Sequence, residues 1–379
     1  MDGRVYFEIP LALMGREMLM GSTISEITNN GFGSVGEKPK GLLYISFVRC
    51  DSVISLKQLT AQYDTNEENL KQRIKESTIP ATIKNFKITT YNEDSTAVVI
   101  DMTDYLVSAD EAINPFSPWA PILAGGERVM EKEFRRENSQ VVSIKAFEDN
   151  VSVKSSLTYG LSLKNKVMYI FQREPFTAVM TRSFILLPEH PMRPRLADPR
   201  IAIFSQGVSV FNGDSRGAQA RYYAQRWNLE PKDMEQYRKG VLTEPKKPIV
   251  FYVDNTFPEN WKKYIKEGVE VWQMAFEKIG FKNAIVARDF PVDDVTFDPD
   301  NLKYSCIRYS PSSVANAMGP SWTDPRTGEI INASVYVYHN VIKLVQDWRF
   351  LHTAAVDSDV RKVVLDDEII GDCIRYVVS

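Results

Sequence analysis

The chain has 379 residues, with 46 Lys and Arg against 49 Asp and Glu, and a formal net charge of −3. A balance so close to neutral excludes a general polyanion binder, and an apolar fraction of 44% excludes disorder as the dominant state. At roughly 100 to 200 residues per domain the length predicts two or three domains, and no run approaches the roughly 18 consecutive apolar residues of a membrane span.

The first residues, Met1 to Pro10, place no basic region before an apolar core, so the sequence as written shows no secretory signal and opens on a strand. From there to about Val210, short runs of β-branched and aromatic residues are broken by turn residues, the pattern of a β-rich region. The clearest predicted strands are Val5 to Ile9, Gly41 to Cys50, Phe86 to Tyr91, Thr96 to Met102, Val141 to Phe147, Val167 to Arg173 and Ala178 to Leu187. Both faces of Gly41 to Cys50 are largely apolar, which predicts a strand covered on two sides and hence a sandwich or a strongly curled sheet. A polar helix is predicted over Glu67 to Lys75, closed off by Pro80. Gly31-Phe-Gly-Ser-Val-Gly36 spells the dinucleotide-binding fingerprint, but Pro39 and Gly41 follow within a few residues. No helix can open there to meet a pyrophosphate, and a mobile loop is the expectation.

Between Pro188 and Pro248 the composition turns proline-rich, then Arg- and Tyr-rich over Arg216 to Arg226, which predicts a connecting segment with a solvated face rather than a nucleic-acid surface. After Pro248 the pattern becomes strand, helix, strand. Ile249 to Val253 is an unbroken apolar run, as in a strand buried on both faces. Trp261, Ile265, Val269, Trp272, Phe276 and Ile279 then step by three and four along one helical face, from a first-turn Pro258 to a stop at Gly280. Ala284 to Ala287 resumes the strand, so a parallel, right-handed β-α-β unit is predicted. Further strands are expected at Ser305 to Tyr309 and Ala333 to His339, and a capped helix from Asp366 to the last residue.

The residue types that carry metal chemistry are scarce and scattered. The histidines are His190, His339 and His352, and the cysteines Cys50, Cys306 and Cys373. No short-spaced metal-ligand set or disulfide scaffold results, so no metal is assigned. Asp293, Asp294, Asp298 and Asp300 lack the central Gly and terminal Glu of a calcium loop, and a solvated loop is predicted. Asn150 and Asn332 open glycosylation triplets, which recur by chance.

Asp324-Pro-Arg-Thr-Gly328 is a turn with its glycine placed for positive φ, and it delivers a strand over Asn332 to Tyr338. That turn and strand, the strand, helix and strand from Ile249, and the closing helix ending Ile374-Arg-Tyr-Val-Val-Ser379 resemble a bacterial family of large, exported zinc-dependent metalloproteases of the metzincin type. The first half resembles the uncharacterised β-rich domain that precedes the catalytic domain in that family. The resemblance implies an α+β chain: a sandwich-like accessory domain over residues 1–187, a connecting segment over 188–247, and the partial α/β upper subdomain of a metzincin-like peptidase over 248–379. For the full-length family it implies zinc as cofactor, a peptide or protein substrate, and export to the periplasm, cell surface or medium. Catalysis there rests on a His-Glu-x-x-His helix that holds zinc and activates water. That motif is absent from these residues, so the expectation is a truncated chain without catalytic residues or zinc, inactive alone and with Ile370, Ile374 or Val377 exposed. One family feature carries over: Asn332, Ala333, Ser334, Val335 and Tyr336 take the place of the edge strand that binds substrate by strand addition, with a plain sheet edge as the equal alternative. The competing reading is a non-catalytic protein that binds a peptide or surface ligand on the same scaffold.

Overall fold

The computed structural model describes residues 3–118, 120–123, 127–214 and 216–379. The chain is β-rich α+β. It divides into two compact units, the first made of Met1–Gly33, Lys38–Arg226 and Trp322–Ile331, the second of Ser34–Glu37, Trp227–Ser321 and Asn332–Ser379.

The first unit holds strands β1 (Tyr6–Pro10), β2 (Met18–Ile27), β3 (Leu43–Cys50), β4 (Val53–Gln58) and β5 (Tyr63–Asp64), then helix α1 (Glu68–Ser77). Next come β6 (Ala81–Tyr91), β7 (Ala97–Asp101), the short helix α2 (Thr103–Leu106), β8 (Val129–Phe134) and β9 (Gln140–Ala146). The long strands β10 (Asn150–Lys164) and β11 (Tyr169–Leu186) follow, then β12 (Ser205–Val210) and β13 (Gln219–Ala224). Ten strands form one antiparallel sheet in the order β1-β7-β6-β4-β3-β2-β11-β10-β8, with β9 also on β10. The sheet is strongly curled and buries one face on itself. Along β10, the period of two puts Val153, Ser155, Leu157, Tyr159 and Leu161 inside, each at most 1% exposed. Opposite them β11 turns in Phe176, Ala178, Met180, Arg182 and Phe184. The two strands predicted at Val167–Arg173 and Ala178–Leu187 are one, because Glu174-Pro175 pairs across to Leu161 and Gly160 and continues the ladder.

The expected connector over 188–247 is divided between the units. Its Arg- and Tyr-rich stretch is not a linker face but strand β13, antiparallel to β12, which in turn lies parallel to β5 in a separate three-stranded sheet.

The second unit holds helix α3 (Met234–Arg238), strand β14 (Ile249–Val253), helices α4 (Glu259–Glu270) and α5 (Gln273–Lys278), and strands β15 (Ile285–Asp289), β16 (Ser305–Ser310) and β17 (Ala317–Met318). The segment Trp322–Ile331, within the first unit, is a hairpin made by β18 (Ser321–Thr323) and the start of β19 (Ile330–Tyr338). Helices α6 (Val341–Thr353) and α7 (Asp367–Val378) complete the chain. The sheet order is β15-β14-β16-β19-β17, and all pairings along it are parallel except that of β17. The single helix expected over 258–280 breaks at Val271-Trp272. Trp261, Ile265 and Val269 enter the core, while Trp272 is 51% and Ile279 56% exposed. Helix α7 packs on α4 at two glycines: a Cβ on Gly268 would stand 3.1 Å from the Arg375 carbonyl, and one on Gly371 only 2.4 Å from the Tyr264 ring. This close seat buries Ile369, Cys373 and Ile374, the last to 1% exposure, so the exposure expected for Ile374 is not found. Exposed apolar residues occur on α6 and the turn after it, among them Leu351 and Val356, and α7 exposes Tyr376.

Candidate peptide-binding face of the second unit

The two faces of the second unit's sheet differ in chemistry because β16 and β19 alternate apolar and polar residues, while β14 is apolar throughout. Ile249 and Phe251 of β14, Ile285 of β15, Ile307 of β16 and Val335 of β19 point to one face. Tyr252, Arg308, Ser334 and Tyr336 point to the other. On the apolar face lies a cavity of about 450 Å³, walled by Val269, Trp272 and Phe276 from α4, α5 and their junction, by Val377 and Val378 from α7, and by Trp227, whose ring meets Phe251 edge-on at 6.1 Å. One rim is Ala317, Met318 and Gly319, the β17 segment at the end of the sheet. A mostly apolar concavity of this size fits a side chain or a small ligand.

The strand expected to be the edge is internal. Residues Cys306 to Ser310 pair with Ser334 to Tyr338 on one side, and Ala317 and Met318 pair with Val337 and Tyr336 on the other. Of the five named residues, Asn332 is fully buried and donates through Nδ2 to the Tyr304 carbonyl at 2.7 Å. The Ala333 amide donates to Ser305 Oγ, and Ser334 Oγ donates to Asn332 Oδ1, both at 3.0 Å. Tyr336 is buried on the polar face, and burial pushes its hydroxyl pKa up. Only Val335 reaches the cavity. Among the described residues the strand at this end of the sheet is Ala317–Met318, which sequence reasoning passed over: two apolar residues before Gly-Pro make a weak strand signal beside the long run of β19.

The polar face is built on Arg308. Its guanidinium lies 3.0 Å from Asp300 and 3.4 Å from Asp254, all three buried. The acidic turn is therefore not a solvated loop at Asp298 and Asp300, which are 3% and 4% exposed. The two carboxylates hold the Arg308 pKa up against the opposing pull of burial. The fingerprint-like loop is not a mobile loop either. Phe32 sits in the first unit's core against Phe176, and Ser34 to Glu37 belong to the second unit. Gly36 has φ +87°, and a Cβ there would come within 2.8 Å of Arg308 Cγ, so glycine is required.

The Asp-Pro-Arg-Thr-Gly turn is an anchor within the first unit. Arg326 binds Asp324 through both Nε and Nη2, at 3.0 and 2.7 Å, and reaches Glu17 at 2.5 Å. Glu17 also accepts from the Tyr44 hydroxyl. These carboxylates hold the Arg326 pKa up against burial, and raise that of Tyr44 alongside it. Gly328 has φ +77°, with the Ala224 carbonyl 2.7 Å from where a Cβ would be.

The histidines stay apart. His190 and His352 are exposed, and His339 stacks on Trp261 at 5.3 Å with Nδ1 2.9 Å from the Tyr309 hydroxyl. Cys50, Cys306 and Cys373 are free thiols. Among the described residues no group of three or more His, Cys, Asp or Glu is placed to hold a metal ion.

A family model described as "Domain of unknown function (DUF5117)" matches residues 37–232, and another, "Domain of unknown function (DUF5118)", matches residues 1–27. The first covers more than half of the 379 residues, and the chain belongs to the DUF5117 family. No curated protein and no solved structure matches the chain.

Proposed function

We propose that the chain is part of a zinc-dependent metallopeptidase of the metzincin type, in which the second unit is the sheet-bearing upper part of the catalytic domain and presents an extended peptide along Ala317–Gly319. The observation that carries this reading is a short antiparallel strand at the sheet's end forming the rim of a 450 Å³ apolar cavity. A peptide adding to such an edge gains main-chain hydrogen bonds, and every second side chain turns toward one face, here the cavity. The proposed substrate is therefore a peptide with an apolar residue at the position facing Phe251 and Val335. The first unit would act as the accessory domain of the same enzyme.

The 379-residue chain is expected to bind such peptides without cleaving them, since the His-Glu-x-x-His motif does not occur in its sequence. The same geometry also serves the second reading, a peptide-binding protein without catalysis. Titrating the purified chain with extended peptides that carry Leu or Asp at one central position, read by the fluorescence of Trp227 and Trp272 in the cavity wall, tests the shared part. Full burial of a Leu side chain corresponds to roughly 10- to 100-fold tighter binding of the Leu peptide, and Trp272→Ala should reduce that preference. Equal binding of both peptides, or none, rejects the cavity as the recognition element. A His-Glu-x-x-His frame adjoining the Ser379 codon in the gene supports the peptidase, and its absence leaves only the binder.

A further inference from the structure

The interior of the first unit contains a fully buried cation that no acid pairs with. Arg182, on β11, is 0% exposed. Its Nη1 donates to the Met180 carbonyl at 3.2 Å and its Nη2 to the Ile113 carbonyl at 3.0 Å. Its Nε donates to nothing, and among the described residues no carboxylate forms an ion pair with it. Three further buried groups are unpartnered: the hydroxyls of Tyr105, Tyr159 and Ser155, which are 3%, 1% and 0% exposed. Tyr105 belongs to the core cluster that includes Ile113, whose carbonyl Arg182 binds, and Tyr159 to a second cluster of the same unit. Arg182 pairs with Val153 across the β10–β11 ladder, so Ser155 stands one step along the same inward face. Tyr105, from α2, and Tyr159, further along β10, both interact electrostatically with the guanidinium. Asp110 and Glu111 act on the tyrosines, Asp110 on Tyr105 and Glu111 on Tyr159, and neither is among the groups acting on Arg182.

A buried charge of this kind costs several kcal/mol unless it is compensated, and buried hydroxyls left without partners add to that cost. What remains unsatisfied is one cationic N–H and three O–H donors. We infer that Arg182, with the hydroxyls of Tyr105, Tyr159 and Ser155, holds a small monovalent anion of halide size inside the curled sheet. The size follows from enclosure, since all four side chains are shut off from solvent and leave no entrance for an organic anion. The charge follows from the donor set: water supplies acceptor oxygens but does not neutralise a guanidinium. Burial pulls the Arg182 pKa down to about 10, still far above neutrality, so the side chain is a cation under ordinary conditions and keeps its need for a counter-ion.

The test uses the 379-residue chain in bromide. Crystals grown with sodium bromide should show one anomalous peak inside the first unit, within hydrogen-bonding distance of Arg182 Nε. In solution the melting temperature should rise saturably with bromide compared with gluconate at the same ionic strength. Tyr105→Phe combined with Tyr159→Phe keeps both rings and removes two donors, and should weaken half-saturation about 10-fold or more, the equivalent of hydrogen bonds to a charged partner. This double variant keeps the test decisive even where Arg182→Met fails to fold. A water molecule in place of the anomalous peak, or identical melting in bromide and gluconate, overturns the inference. The test is independent of the peptide reading, because it involves only the first unit.

Discussion

Each unit buries one arginine on the inside of a sheet, and the surroundings of the two differ in kind. Arg308, in the second unit, is 8% exposed and sits between Asp254 and Asp300. Arg182, in the first, is 0% exposed and has two carbonyls but no acid. A paired buried charge makes a unit rigid and intolerant, because removing one partner strands the others. An unpaired one marks a place where the fold accepts a cost that a packed apolar side chain would avoid. The contrast separates structural polarity from polarity that asks for a ligand. The second unit's acids close on Arg308 from two sides, whereas Arg182 meets two carbonyls and, among the described residues, no acid.

The sharpest way to break the contrast is to replace each arginine with methionine. Arg308→Met leaves Asp254 and Asp300 buried without a cation and should cost about 3–5 kcal/mol. In halide-free buffer, Arg182→Met removes an uncompensated charge while taking one donor from each of two carbonyls. These opposing terms should leave stability within about 1 kcal/mol of the parent. Native-state hydrogen exchange reads the two locally, on β16 for the first variant and β11 for the second. Equal losses at both sites would end the distinction.

A smaller effect tests how tightly the paired arginine is held. Gly36→Ala meets both an unfavourable φ of +87° and Arg308 Cγ at 2.8 Å, on a side chain whose far end is tied to two carboxylates. Gly240→Ala meets the same backbone penalty, φ +77°, in open space. The expected losses are about 2–3 kcal/mol for Gly36→Ala and about 1 kcal/mol for Gly240→Ala. Equal losses in urea denaturation would mean that Arg308 gives way, and that its pairing is looser than the distances show.

What could be read from the sequence follows from how local each signal is. Strands β1, β3, β7 and β9, the helical face of α4 and α7 with its acidic first turn were legible from local pattern, although Asp366 makes no side-chain capping bond to α7. Strand β10 was not. Its Ser152, Lys154, Ser155 and Ser156 hide the alternation, and only pairing with β11 makes Ser155 an inside residue. The choice of sheet edge failed for a related reason: the β-branched run of β19 outshines Ala317–Met318, yet edge or interior is decided by which strands pair, and a period of two does not encode that. The loop at Gly36 read as mobile and the acid at Asp300 as solvated because what each packs on, Arg308, is not visible in their local pattern.

The smallest effect concerns surface carboxylates that are paired, the exposed counterpart of the Arg308 cluster. On α7, Arg375 donates to Glu368 and Asp372 at 2.7 and 2.6 Å, and to Glu267 of α4 at 2.6 Å. Hydrogen bonds from Arg375 hold the carboxyls of Glu368 and Asp372 below their ordinary values of 4.5 and 3.8. A carboxyl lowered in the folded state binds its proton later than the same group unfolded. Its contribution is therefore complete above the ordinary value and is lost as the pH falls through the lowered one. Amides of Asp367 to Val378 should then exchange faster relative to those of α4 once the pH drops below about 4.5. Arg375→Met should reduce that acid dependence to the part Arg349 maintains through Asp372, and leave the neutral-pH packing of Ile369, Cys373 and Ile374 in place, because solvent-exposed pairs contribute little next to buried apolar contacts. Persistence of the same acid response in Arg375→Met would assign it to other carboxyls of the second unit.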